Sequence, residues 1–345
     1  MDFAFSAEQD MLRAAAREFL AEQHPLEGVP AIVDGEPGWQ PESWKQLADL
    51  GWTDDDLDLL DHVVLFEETG AALLPAPLFS TLALAVPAVR HDKELLASVA
   101  SGDLRLSLAW AESSRPQGIT DTDLATTVDA DGRVTGRKVL VPDAANTDAL
   151  VVTVAGPQLR LVRTADATVT PVSTSDQSRR LYEVEFAGAP SRALGDGSVL
   201  AEIETRAFVL AAAEALGVGR RAVEEGVAHA STREQFGRVI GMYQSVSNQL
   251  VDSYAALELA RSLTYWAAWA VQEGDEQAEV AVAAAKSAAA EAAVNACEHV
   301  IQVLGGVGMT WEHILHRLYK RAQWLEAFGA GGRALRARIA DRVIG

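Results

Sequence analysis

An arginine set beside glycine is a simple way to hold a phosphate, and this chain has one in Arg233-Glu234-Gln235-Phe236-Gly237, followed by Ile240 and Gln244. A guanidinium at a helix end suits bidentate contact with phosphate oxygens, and Phe236 could support a planar ring. Taken alone, the pattern also describes a surface arginine at a helix break, which is the commoner case. A second segment, Gln302-Val303-Leu304-Gly305-Gly306-Val307-Gly308, is rich in glycine at a helix end. Backbone without Cβ atoms lets N–H groups come close to an anion or an adenosine. A tight interhelical turn would use the same residues. The run follows a helix and not a strand, so it is not a Rossmann loop. His299, His313 and His316 fall in two helical neighbourhoods, and the i, i+3 spacing of His313 and His316 could serve a metal. With no carboxylate and no third histidine in register, surface or interface roles fit them better. Cys297 is the only cysteine, which removes intrachain disulfides and cysteine-cluster metal sites and fits a reducing, cytoplasmic setting.

The chain that must position these residues has 345 of them, enough for about two or three domains. Its 49% hydrophobic and 23% charged content belongs to a folded chain, not a disordered or fibrous one. The net charge of −20 argues against a surface that tracks phosphates, and so against a nucleic-acid partner. Asp2, with no basic stretch before an apolar one, does not open a secretory signal. The uncharged run Thr69 to Val89 is interrupted by Pro75, Pro77 and Pro87, and reads as buried turns, not a membrane span.

The texture changes twice, giving an α+β chain in three parts. Residues 1–100 read as an N-terminal α-helical domain. There Ser6 and Gln9 form a capping box, and Met11, Leu12, Ala15, Phe19 and Leu20 form one stripe. Ser43 to Leu50 and Leu57 to Thr69 continue the helical pattern, with Gly51 and Gly70 as helix stops. Residues 101–200 read as a middle β domain, a small barrel or sandwich. Its runs are Arg133 to Val141, Ala149 to Val154 and Leu159 to Val162, its hairpin signal is Asp131-Gly132, and Ala187 to Ser198 is its boundary. Residues 201–345 read as a C-terminal four-helix bundle, three long helices and a shorter last one, with breaks near Gly237 to Gly241, Gly274 and Gly305 to Gly308. Trp266 and Trp269 share a helical face and pack this bundle. Surplus apolar surface on the long helices suggests an oligomer.

This order of parts, with Arg-x-x-Phe-Gly and Gln-x-x-Gly-Gly-x-Gly motifs at this separation, resembles the acyl-CoA dehydrogenase family of flavoproteins over nearly the whole chain. The resemblance takes in Phe3 to Leu20, Trp44 to Trp52, Phe66-Glu67-Glu68-Thr69-Gly70 and the Gly136, Lys138 and Asp148 frame. It implies FAD lying between two subunits. One subunit walls the isoalloxazine with its middle domain. The neighbour contacts the pyrophosphate and adenosine through residues that match Arg233, Phe236, Gly237, Gln244, Gln302, Gly305 and Gly306 here. It also implies a catalytic Glu that takes the proton α to a thioester while flavin N5 takes the β hydride. Such a base must be a desolvated carboxylate within hydrogen-bond reach. The two family positions for it carry Gly329, in Phe328-Gly329-Ala330-Gly331, and Ala207. Glu326, Glu204 and Glu214 lie nearby but could act only after a backbone shift, and an error of about 1 Å already costs much rate.

The middle domain departs in the same direction. Leu140 and Pro142 stand where the family has a Trp and a Ser or Thr against the isoalloxazine. The flavin-covering loop shrinks to Glu112-Ser113-Ser114. The glycine-rich loop expected after Trp52 is replaced by Thr53-Asp54-Asp55-Asp56, an acidic run that reads as a solvated helix start. The losses fall on the half that a subunit uses for its own flavin ring and substrate, and the half offered to a neighbour survives. That asymmetry resembles the non-catalytic β subunits of heterotetrameric actinobacterial acyl-CoA dehydrogenases. It implies FAD, an acyl-CoA substrate of fatty acid or steroid catabolism, a catalytic partner in an α2β2 complex, and an electron-transfer flavoprotein as acceptor. Two alternatives stay open: a self-sufficient acyl-CoA dehydrogenase with a relocated Glu base, and a flavin-free structural scaffold subunit. Flavin stacking by Trp266 or Trp269 is a further alternative to their packing role.

Overall fold

A computed structural model describes residues 6–54, 57–114, 118–120, 123–156 and 158–345. Asp2, Phe3 and the Asp55-Asp56 pair of the acidic run lie outside the described residues. The first helix, α1 (Ala7–Gln23), opens on the expected capping box: the Gln9 amide donates to the Ser6 hydroxyl at 3.1 Å and the Ser6 amide to Gln9 Oε1 at 3.2 Å. Its buried residues are Ala16 and Leu20, while Met11 and Ala15 face solvent. The expected stripe is therefore rotated, because Leu12, Ala16 and Leu20 satisfy the same helical spacing. The helices α2 (Val29–Val33) and α3 (Pro41–Asp49) follow, and Gly51, at φ +76°, ends the latter as expected. α4 (Leu59–Ala71) is capped by Asp58, whose carboxylate accepts the Asp61 amide at 2.8 Å, so its start lies beyond the acidic run.

Gly70 is no helix stop. It is buried inside α4, where a Cβ would meet the Glu214 carbonyl oxygen at 2.3 Å. The uncharged run after it is largely buried and starts as the expected turns over 72–77, but then becomes helical. It contains a π-helical segment Phe79–Ala85 and α5 (Val86–Val89), before α6 (Lys93–Ala100). Among the described residues no helix is long and apolar enough to cross a membrane.

The chain folds as two compact units. One comprises Ile32–Leu57 and Pro75–Ala207. Its strands are β1 (Leu106–Ala109), β2 (Thr127–Val128), β3 (Arg133–Pro142), β4 (Ala149–Val154), β5 (Gln158–Arg163), β6 (Thr168–Val172), β7 (Leu181–Pro190) and β8 (Arg192–Asp196). Among the described residues they form two sheets, β1-β4-β5-β8 and β2-β3-β7-β6. Val134, Val141, Leu150, Val152, Val162, Val184 and Phe186 from both sheets join in one core, which makes the expected sandwich. Gly132, at φ +76°, turns β2 into β3 as the Asp-Gly signal requires. Ala187 to Ser198 is not plain linker: it completes β7 and carries β8, whose small residues supply ladder hydrogen bonds at a sheet edge.

The other unit comprises the chain up to Ala31, Asp58–Leu74 and Phe208–Gly345. It holds most of α7 (Leu200–Thr232), a hairpin of β9 (Glu234–Gln235) and β10 (Arg238–Val239), then α8 (Gln244–Gln272), α9 (Ala278–Leu304), α10 (Leu315–Ala327) and α11 (Gly332–Val343). The expected last helix is thus two, broken where Gly329 takes φ +69°. Glycines bring the long helices close. A Cβ on Gly219 would lie 2.5 Å from Leu257 and 3.1 Å from Ala293, and one on Gly226 would lie 2.8 Å from both Leu250 and Val300. Gly217 packs on α4 in the same way, with the Glu67 carbonyl oxygen 1.9 Å from where its Cβ would be.

Candidate functional site

The layer of Gly226, Leu250 and Val300 fixes which ends of the helices meet. Each of the three lies about one to two turns from a helix end: α7 ends at Thr232, α8 begins at Gln244 and α9 ends at Leu304. Arg233, Gln244, Gln302, Gly305 and Gly306 are therefore brought to one end of the bundle, although they span some seventy positions of sequence. All five side chains or backbones are exposed there. Phe236 and Gly237 are the two central residues of the β9–β10 hairpin, at φ +53° and +80°, the combination a two-residue hairpin turn needs. Phenylalanine pays for a left-handed φ, yet Phe236 is 92% exposed and touches no core. Behind it the Tyr243 hydroxyl donates to the Gln235 carbonyl at 3.1 Å, and the Arg238 guanidinium lies 4.0 Å from the Tyr243 ring.

The glycines give the test of fit for a nucleotide. Among the described residues, chain neighbours aside, nothing lies within 4 Å of a Cβ built on Gly305 or Gly306. Gly305 needs its φ of +63° to leave the helix, but Gly306 has no conformational or packing reason to lack a side chain. Bare backbone facing open space, on the same end of the bundle as Arg233, suits the diphosphate and adenosine end of FAD.

The histidines separate. His313 Nδ1 accepts the Leu315 amide at 3.2 Å, His316 meets the edge of Trp311 at 4.7 Å between ring centroids, and His299 Nδ1 lies 2.8 Å from the Ser253 hydroxyl. Among the described residues no His, Cys, Asp and Glu group could hold a metal. Trp266 and Trp269 are half-buried on α8.

Around the base positions the space is already taken. A Cβ on Gly329 would lie 2.6 Å from the Phe208 ring, which meets Phe328 edge-on, and Phe328 stacks on Trp324 at 5.0 Å. Lys286, 1% exposed, reaches this cluster and donates to the carbonyls of Glu326 and Ala330 at 3.2 and 3.4 Å. Burial pulls its ammonium down to about 8, against the pull of Glu326. Sequence reading missed both Phe208 and Lys286, since a lone Phe and a Lys in an alanine-rich helix carry no motif. Ala207 is fully buried.

The three nearby carboxylates all have other work. Glu326 accepts the Gly332 amide at 3.2 Å and so caps α11. Glu204 accepts the Ile119 amide at 2.8 Å. Glu214 pairs with Arg321, both within 2% of full burial.

In the β unit, Leu140 sits at φ +55° where the register of β3 against β7 shifts, a bulge held by a residue with no ring to offer a flavin. Pro142 has no N–H, and its carbonyl already accepts the Ser107 hydroxyl at 2.6 Å. Glu112 is bound by the Lys138 ammonium at 2.7 Å and by the amides of Ala125 and Thr126 at 2.6 and 3.0 Å. Burial opposes its charge, but Lys138, Thr126 and the Ala125 amide overcome this and hold the carboxyl at about 2. The residues at the ring-wall positions do not fit a flavin ring.

The family model described as acyl-CoA dehydrogenase, C-terminal domain, matches residues 205–344. The acyl-CoA dehydrogenase IpdE2 of Mycobacterium tuberculosis is 28% identical over 328 residues, covering 91% of each chain. Residues 205–344 thus carry the C-terminal domain of the acyl-CoA dehydrogenase family. The fold of the whole chain is that of solved acyl-CoA dehydrogenase structures. The ChsE4-ChsE5 complex from Mycobacterium tuberculosis superposes with a TM-score of 0.89 at 25% identity, over 100% of this chain and 99% of that one. The Tcur3481-Tcur3483 steroid ACAD G363A variant gives 0.87 at 26% identity, over 98% of each. Both are complexes of two named components.

Proposed function

We propose that this chain is the non-catalytic subunit of a hetero-oligomeric, cytoplasmic acyl-CoA dehydrogenase. It lends the diphosphate and adenosine half of an FAD site to a catalytic partner that desaturates an acyl-CoA thioester. One observation carries the reading. Phe208 fills the space a glutamate at 329 would need, whereas the end of the bundle presents Arg233, Phe236 and bare glycine backbone to solvent. The similarity to two-component complexes supports it, and the steroid ACAD among them makes a steroid-derived acyl-CoA a fitting substrate.

In this reading FAD supplies the hydride acceptor. Arg233 would hold a phosphate oxygen by a charge-assisted hydrogen bond, Gly305 and Gly306 would admit the adenosine side, and Gln244, Gln302 and Phe236 would line it. The partner brings the base and the ring wall, and an electron-transfer flavoprotein would accept the electrons.

The test compares the purified chain with the chain co-expressed with a full-length relative that retains the glutamate. The complex should be yellow and active, and the single chain should desaturate nothing. A single chain that binds stoichiometric FAD and reduces it with acyl-CoA overturns the reading. A colourless complex would point to the scaffold, and loss of turnover with flavin retained in Glu326→Gln or Glu204→Gln to a relocated base. Arg233→Ala should weaken FAD binding by the complex by about 1.5 to 3 kcal/mol, measured by flavin release on dilution.

A further inference from the structure

Glu225, His229 and Arg233 recur at four-residue spacing and share one face of α7 as it ends. His313, in the segment between the glycine turn and α10, closes on that face, its Nε2 lying 4.0 Å from a Glu225 oxygen. Since Nδ1 accepts the Leu315 amide, the neutral ring carries its proton on Nε2, turned toward Glu225. Among the described residues, the charged groups facing His229 are Arg233 on its own helix and His313 from the opposing segment, and Glu225 faces His313. Burial first, then Arg233 and His313, hold the His229 ring below its ordinary value. Two imidazoles and a guanidinium are thus gathered at the end of α7, on the end of the bundle that also carries the glycine turn. Such crowding is relieved when an anion sits among them.

The geometry points to a diphosphate seat made by Arg233, His229 and His313 together, which takes up a proton as a nucleotide diphosphate binds. This rests on the FAD reading above and adds two residues and a pH dependence to it. A bound diphosphate raises the pKa of the imidazole beside it. The affinity this adds is fully present below the pKa of the free seat and is lost as pH rises through that of the occupied one. Glu225 offers a nearby negative charge, 4.0 Å from His313 Nε2, in the empty seat.

ADP is the probe, because it carries the diphosphate and adenosine without the ring that the partner must wall. Titration calorimetry of the full chain with ADP between about pH 5.5 and 8, in buffers of different ionisation enthalpy, reads affinity and proton uptake together. Wild type should take up protons and lose affinity with rising pH, about tenfold for each unit by which ADP raises the imidazole pKa. His229→Gln should flatten that slope, His313→Gln should reduce it, and Arg233→Ala should weaken binding at every pH. If Arg233→Ala weakens binding but the slope survives both histidine substitutions, the seat is wrong and the FAD reading stands. If Arg233→Ala has no effect, or ADP does not bind, both fall.

Discussion

A glutamate at position 329 would find a phenylalanine in its way. Gly329→Glu should therefore restore no desaturation and should destabilise the chain by about 1 to 3 kcal/mol, read from denaturant unfolding, because Phe208 has to move and a left-handed φ is strained by any side chain. Lys138 and Glu112 make a second residue-scale case. A carboxyl held at about 2 when folded and near 4.5 when unfolded contributes stability that is present above about pH 4.5 and is lost as pH falls toward 2. Lys138→Met removes the ammonium, so the midpoint of acid unfolding by circular dichroism should move to higher pH. That positions 329 and 207 carry no carboxylate is plain in the sequence as Gly329 and Ala207. That Glu326, Glu204 and Glu214 are engaged by a cap, a loop amide and an arginine respectively is not legible there, since Ile119 and Arg321 are far away in the chain and the Glu326 cap depends on the turn before Gly332.

Among the elements, glycine does two different jobs that sequence reading cannot separate. Gly70 and Gly217 let α4 and α7 cross with each backbone against the other's carbonyl, so Gly217→Ala should cost about 1 to 3 kcal/mol or more in denaturant unfolding. A Cβ on Gly306 would meet nothing among the described residues, so Gly306→Ala should change stability by no more than about 0.5 kcal/mol while weakening ADP or FAD binding. The pair of substitutions separates packing from binding. The Gly70 stop was misread for the same reason: a glycine late in a helix pattern looks alike as a terminator and as a contact, and only the facing helix decides.

For the molecule as a whole, two buried carboxylates on α4 tie the helical unit together. The Glu67 oxygens accept from Arg261 at 2.9 Å and from the Tyr265 hydroxyl at 2.7 Å, while Glu68 accepts from Arg17 and Arg220 at 2.9 and 2.7 Å. Helices α1, α4, α7 and α8 therefore share one ion network. Burial works against the Glu67 charge, but Arg261, Tyr265, Arg13 and Arg220 together hold its carboxyl below the usual range. Glu67→Ala leaves Glu68 alone to balance Arg13 and Arg220 and leaves Arg261 only Glu258, and should cost about 3 kcal/mol in denaturant unfolding. The exposed apolar residues of the same unit, Phe236, Leu259, Met309 and Trp311 among them, fit a chain that works in an assembly.

By itself the sequence determined the α+β order, the capping box and the hairpin at Asp131-Gly132, because each is set by residues close together in the chain. Periodicity left the face of α1 and the division of the last helix open, since one spacing admits neighbouring registers and Gly329 breaks a helix only in the conformation it adopts here. Only the tertiary structure brought Arg233, His229, His313 and the glycine turn to one end of the bundle and placed Phe208 where a base would stand. Those relations depend on antiparallel helices packed through Gly219 and Gly226, and long-range packing has no spacing that a linear reading could measure.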